Sequence, residues 1–226
     1  MSMPFYVPPE QMMQEKADFA RKGIARGRAL VALQYDNGIV LVAENPSNNL
    51  RKIGEIYDRI AFAGVGKYSE FDNLRQAGVR AADLTGLQYS RRDVEGRGLA
   101  NQYAQLIAQS FTHESKPLEV EILIAEVGHE KESDRLFHIT YDGTVIDEQQ
   151  CCILGGDADA VRQRLKQDLQ PDAPLAQAIA RAASALSGPD RKLGSEELEV
   201  ALLERGENRR CFTRLTHQQV GELLKQ

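Results

Sequence analysis

Ala29-Leu-Val-Ala-Leu-Gln-Tyr35, then Asp36-Asn37-Gly38, then Ile39-Val-Leu-Val-Ala43: two apolar runs rich in β-branched residues flank one tight polar turn. Asn-Gly between such runs predicts a β-hairpin. The period on its N-terminal side is different. Met12, Met13, Ala17, Ala20 and Ile24 recur at helical spacing, so residues 9–26 read as a helix. Pro9 suits its first turn, where a missing N–H leaves no bond unmade. Gly23 weakens this helix and Gly27 ends it. Residues 1–8, Met1-Ser2-Met3-Pro4-Phe5-Tyr6-Val7-Pro8, read as a flexible arm.

Downstream of the hairpin, Asn45 to Asn49 is a polar loop. Ile53–Ile56 and Ile60–Ala63 form a second strand pair turning at Tyr57-Asp58-Arg59. Two helices follow. The first opens at Ser69, with Asp72 placed for a weak capping box, and its face carries Phe71, Leu74, Val79 and Ala82. The second carries Leu99, Tyr103, Leu106, Ile107 and Ser110. Leu118–Val127, Leu136–Tyr141 and Thr144–Leu154 read as strands, the last two joined at Asp142-Gly143. Helices begin near Asp157 and Leu175. Leu198–Glu204 and Cys211–Leu215 form a last hairpin, and Thr216 caps a short final helix.

Helices therefore arrive in pairs between groups of strands, unlike the β-α-β alternation of a parallel sheet. Two antiparallel sheets packed face to face, with a helix pair outside each, bury every apolar face in this order. No linker divides the 226 residues, so an α+β single domain is expected.

Composition removes several function classes. The net charge of -5, with no strongly basic block, argues against nucleic acid or an anionic membrane as partner. No run is long enough to cross a bilayer, and Met1 to Pro9 lacks a signal peptide's basic start, so a cytoplasmic protein is expected. Cys151, Cys152 and Cys211 are odd in number and read as buried thiols, the adjacent pair pointing to opposite faces of a strand. His113, His129, His138 and His217 are scattered, without metal-ligand spacing, so neither a metal nor a cofactor is expected. Gly64-Val65-Gly66 and Gly155-Gly156-Asp157 are incomplete as phosphate-binding fingerprints and read as turns into helices. Ser110, Ser115 and Ser187 lack a nucleophile-elbow context.

The segment order has a precedent. Phe19-Ala-Arg-Lys-Gly-Ile-Ala-Arg-Gly27 is similar to the end of the N-terminal helix of proteasome α subunits. The first hairpin, Lys52-Ile-Gly-Glu-Ile-Tyr-Asp58, Ala63-Gly-Val-Gly66, Leu136 to Thr144 and Leu154-Gly-Gly156 continue the likeness across nearly the whole chain. It is closest to the actinobacterial branch. The arm, Phe5-Tyr-Val-Pro-Pro9, departs from the Tyr-Asp-Arg start of archaeal and eukaryotic subunits.

The resemblance implies a four-layer αββα sandwich of the N-terminal-nucleophile hydrolase type with an extra N-terminal helix. It also implies a seven-membered α ring stacked on β-subunit rings. Such a ring gates the entry of unfolded protein substrates and docks a ring-shaped AAA ATPase activator. Catalytic β subunits of this family use an N-terminal Thr directly after a Gly, its own amine serving as base. Here Gly27 holds the place of that Gly and Arg28 follows it. No Thr precedes Thr85, so a non-catalytic subunit is expected.

The resemblance also assigns Lys52 to an activator-docking pocket, where an ammonium receives a terminal carboxylate. Gly27 and Gly66 are similar to small positions lining that pocket, and Lys67, which departs from the Leu of archaeal pockets, is expected to add a second positive charge there. Residues 1–8 become the gate, and Thr112-His113-Glu114-Ser115-Lys116 becomes a pore loop. Taken alone, Lys52 between Arg51 and Glu55 reads more simply as a surface lysine. The alternatives for the whole chain are an active N-terminal-nucleophile hydrolase and a free-standing interaction module.

Overall fold

A computed structural model describes residues 8–166, 170 and 172–225; the predicted gate, apart from Pro8, lies outside them. The chain runs α1 (Pro9–Ala25), β1 (Leu30–Tyr35), β2 (Gly38–Glu44), β3 (Ile53–Tyr57), β4 (Ile60–Gly66), α2 (Tyr68–Gln88), α3 (Gly96–His113) and β5 (Val120–Glu126). It continues through β6 (Arg135–Ile139), β7 (Val145–Glu148), β8 (Cys151–Leu154), α4 (Ala158–Lys166), α5 (Leu175–Ser187), β9 (Leu198–Glu204), β10 (Phe212–Arg214) and α6 (His217–Leu223). One sheet has the order β10-β9-β2-β1-β8 and the other β3-β4-β5-β6-β7, with every pairing antiparallel.

Period-two alternation sorts β1 between two cores. Val31, Leu33 and Tyr35 pack with α4, α5 and α6, through Val161, Ile179 and Val220 among others. Leu30 and Ala32 face the second sheet, where Ile53, Ala63 and Leu123 meet them. A third core, built on Phe62, Phe71, Tyr103 and Ile124, lies between that sheet and α2–α3. The result is the four-layer αββα sandwich. Each fully buried Leu or Ile contributes about 1.5–3 kcal/mol, and three such layers explain why nearly continuous apolar strands are tolerated. Cys151 faces the first core and Cys152 the second, on opposite faces as expected.

The β1–β2 hairpin pairs Tyr35 with Gly38, so Asp36 and Asn37 form the loop. Gly38 has φ 149°, and a Cβ there would lie 2.0 Å from the Leu203 carbonyl oxygen of β9. The turn therefore requires glycine because the third strand approaches so closely. Thr216 caps α6, receiving the Gln219 backbone N–H at 3.3 Å.

Four local expectations are corrected. Thr144–Leu154 is two strands: the chain leaves one sheet after Glu148 and enters the other at Cys151, turning at Gln150 with φ 66°. The α2 helix starts at Tyr68, and Asp72 accepts hydrogen bonds from Arg75 and Gln76 in place of a capping box. Leu106 faces outward and is half-exposed. Met12 and Met13 of α1 are likewise exposed, because the helix buries only the stripe Lys16, Ala17, Ala20 and Ile24.

Candidate functional site

Most of the predicted docking site hangs on the four-residue link between α1 and β1, Arg26 to Ala29. The helix ends with the Gly27 N–H donating to the Ile24 carbonyl at 2.8 Å. Arg28 then precedes β1, and its backbone carbonyl accepts a hydrogen bond from the Lys52 ammonium at 2.6 Å. Lys52 itself is fixed by the sheet ahead of β3. Its backbone N–H donates to Glu199 Oε2 at 2.9 Å, and its carbonyl accepts from the Gly64 N–H at 3.0 Å. Gly27 lies against β4: a Cβ on it would stand 2.8 Å from Val65 Cγ1 and 3.3 Å from the Gly66 nitrogen. Lys52, Gly27 and Gly66 therefore share one neighbourhood, joined through Arg28.

Two buried carboxylates frame this lysine, and sequence reasoning named neither. Glu44, at the end of β2, accepts two hydrogen bonds from Arg191 at 2.7 and 2.6 Å and one from Arg28 at 2.9 Å. Burial opposes its ionisation, but the hydrogen bonds and charge of Arg191, with Arg28 and Lys52, outweigh that and hold its carboxyl below the usual range. Glu199 of β9 takes Asn45 Nδ2 at 2.7 Å, the backbone N–H groups of Lys52 and Ile53, and the Arg214 guanidinium. The available signal was an acidic residue at the end of an otherwise apolar strand, for which burial demands partners.

Lys52 is half-buried, and desolvation lowers its pKa to about 8. Glu44 and Glu199 oppose this shift, and the Arg28 charge adds to it. At neutral pH the group is an ammonium, yet one held at a disadvantage. Among the described residues only the Arg28 carbonyl accepts from it, which leaves two N–H donors for an incoming acceptor. On the far side of Arg28 a cleft of about 450 Å³ opens between Gly27, Glu44, Gly156 and Arg191.

Lys67 is placed differently. Its backbone N–H donates to the Glu119 carbonyl at 2.9 Å and it stands at the N-terminus of α2. Its ammonium turns to Glu70 Oε1 at 3.2 Å, away from the Arg28–Lys52 pair in its bonding. Glu70 also receives Lys116 at 3.0 Å and the Glu119 backbone N–H at 2.8 Å. Glu70, unnoticed in the sequence, thus joins the start of α2 to the predicted pore loop. That loop is shorter than expected. Thr112 and His113 belong to α3, with Thr112 Oγ1 donating to the Ala108 carbonyl. Glu114, Ser115 and Lys116 follow the helix and are exposed. The end of α3 is held by α1: the Lys16 ammonium donates to the carbonyls of Phe111 at 3.0 Å and Thr112 at 3.4 Å.

The scatter of histidines has one exception in space. His138, Glu148 and Cys152 stand with their ligand atoms within 4.8 Å of one another.

The family comparison agrees with the sandwich. Residues 24–203 match the family model described as proteasome subunit. A protein of Acidimicrobium ferrooxidans named proteasome subunit alpha is 55% identical over 224 residues, covering 99% of this chain and 97% of that one. Its namesake in Thermomonospora curvata is 53% identical over 226 residues, covering 99% and 98%. That of Saccharopolyspora erythraea is 51% identical over 227 residues, covering 99% and 89%. With a full-length match of this depth on a four-layer sandwich that keeps α1 ahead of β1, the chain belongs to the proteasome family, as an α-type subunit of the actinobacterial branch.

Proposed function

We propose that this subunit forms the non-catalytic outer ring of a cytoplasmic 20S core particle, gates its axial entry and docks a ring-shaped AAA ATPase on it. The observation that carries the reading is the Lys52 ammonium lodged 2.6 Å from the Arg28 carbonyl, half-buried and with donors to spare. A desolvated ammonium backed by fixed dipoles recognises a terminal carboxylate as a point charge. Arg28 supports the non-catalytic part. It sits between Gly27 and β1, and its guanidinium pairs with Glu44, so no hydroxyl nucleophile with a free amine stands there.

Residues 1–8 act as the gate at the ring axis, and Glu114 to Lys116 line the constriction below it. Assembly in a seven-membered α ring on β rings suits the apolar side chains that α1 and β7 leave exposed, Met12, Phe19, Val145 and Ile146. Unfolded protein passes through; nucleic acid and membrane are not partners.

Co-expression with candidate β subunits tests the assembly. A large particle that cleaves peptides only when both chains are present is expected, with no labelling of this chain by Thr-directed inhibitors. Peptidase activity of the chain alone would refute the reading.

A further inference from the structure

His138 is buried, 7% exposed, and neither ring nitrogen finds a hydrogen-bond partner among the described residues. Its Nδ1 is 3.7 Å from Glu148 Oε1 and its Nε2 4.0 Å from Glu121 Oε2, both beyond hydrogen-bond reach. A buried imidazole with two orphaned nitrogens is costly, and it needs a physical reason.

The surroundings supply one. The register places His138 of β6 opposite Leu123 and Ile146, and Glu148 of β7 opposite Leu136. Leu136, Leu123 and Cys152 all belong to the core between the sheets. By strand alternation His138, Glu148 and Glu121 project into that same layer. They do so where β8, an edge strand of one sheet, packs over β5 and β6 of the other, beside the edge strand β7. The nitrogen, oxygen and sulfur atoms of His138, Glu148 and Cys152 lie within 4.8 Å of one another. Around a tetrahedral ion with ligands at about 2.0–2.3 Å, donor atoms stand roughly 3.3–3.6 Å apart, so a small inward movement of the side chains closes the set.

We infer that His138, Glu148 and Cys152 form a site for a divalent transition-metal ion of the zinc type, with water in the fourth position of the tetrahedron, which clips the two sheets together at their edge. Nδ1 faces Glu148 and is the ligating nitrogen. Nε2–H then points at Glu121, in the carboxylate–histidine–metal arrangement that fixes tautomer and ring orientation. Glu121 is in turn held by the Gly155 N–H at 3.2 Å. A mixed imidazole, thiolate and carboxylate set suits zinc and excludes magnesium or calcium, which take oxygen ligands.

The charges also fit. With Cys152 as thiolate, its charge and those of the two carboxylates outnumber the single Arg162 guanidinium, 3.3 Å from Glu148, and a divalent ion brings the group to neutrality. Binding releases the Cys152 thiol proton to solvent, while His138 donates its lone pair as neutral imidazole. Glu148 is partly accessible beside the exposed Gln149 and Gln150, which gives an entry path.

Cobalt(II) reports the site directly, because thiolate ligation produces a sulfur-to-metal charge-transfer band. Titrating the full-length, chelator-stripped chain with Co²⁺ should raise that band to saturation at one ion per chain, and Zn²⁺ should bleach it. Zn²⁺ should also raise the thermal midpoint, as any ligand of the native state does. Cys152→Ala, which fills nearly the same volume, should abolish the band, whereas Cys151→Ala should keep it. Glu121→Gln should weaken Zn²⁺ binding about 10–100-fold. No band with the unmodified chain overturns the inference, whatever the variants do. A band that survives Cys152→Ala overturns it equally.

Discussion

Lys52 reaches from one sheet to the other to meet Arg28, its ammonium 2.6 Å from the Arg28 carbonyl oxygen, so the residue just ahead of β3 closes the link that joins α1 to β1. The pairing explains two things together. It places a cation beside the residue that follows Gly27. It also positions that cation from the backbone, through Glu199 and Gly64, so the charge does not depend on a flexible stem alone.

The contrast between Lys52 and Lys67 gives a first prediction. Lys67 is committed to Glu70, which it shares with Lys116. Lys67→Ala should therefore change activator affinity by no more than about threefold, in the range of an exposed ion pair. Affinity measured on assembled particles decides this; a loss of an order of magnitude would make Lys67 a docking residue in its own right.

Docking should also depend on pH, in a direction set by the Lys52 pKa of about 8. The ammonium binds carboxylate, so affinity should fall as pH rises through that value. An activator binding above it must take up a proton. Folding responds with the opposite sign. Between about 8 and the ordinary lysine value the unfolded chain holds more protons than the native one, so this group's contribution to stability rises with pH there. Lys52→Arg, which stays charged, should flatten the docking profile. Binding titrations from pH 7 to above pH 8 check this; a flat profile with the native lysine would contradict it.

Lys16 is buried on α1 and caps the C-terminus of α3 through the carbonyls of Phe111 and Thr112. A cation there interacts with the helix dipole and satisfies terminal carbonyls. Lys16→Met keeps the apolar stem and removes the charge. It should destabilise the chain by about 1–2 kcal/mol, seen as a lower denaturant midpoint at unchanged slope. An unchanged midpoint would mean that solvent serves those carbonyls as well as Lys16 does.

Much of this architecture was legible from period and turn chemistry. The Asp36-Asn37-Gly38 hairpin, the helix pairs and the opposite facing of Cys151 and Cys152 all follow from local rules, because each burial layer imposes its own spacing. The break inside Thr144–Leu154 did not show. The chain changes sheets at Gln150, a non-glycine residue in the left-handed region, and both halves read as strand. Partners brought together from distant strands were invisible for the same reason. Glu44 and Glu199 frame Lys52 from β2 and β9. His138, Glu148 and Cys152 meet from three strands in two sheets, so no ligand spacing along the chain announces them. Lys52 itself was named only through the family resemblance; by composition it looked like any surface lysine.

The gate prediction concerns residues 1–8, an arm of small, apolar and proline residues with too little to bury for a fold of its own. Removing it should speed hydrolysis of peptides by the assembled particle, long ones more than short. Equal rates for both lengths before and after deletion would take the gate away.

The central claim is that Lys52 receives the activator's terminal carboxylate, and Lys52→Glu tests it most directly. The substitution sets two like charges together in a confined site, where screening is weaker than on open surface. Loss of one charge-assisted hydrogen bond costs roughly 1.5–3 kcal/mol per site before avidity around the ring multiplies it. The measurement is activator binding to the assembled variant particle, with assembly and basal short-peptide cleavage confirmed intact. Binding should be abolished; binding equal to that of the unmodified particle would show Lys52 to be a bystander and place the docking site elsewhere.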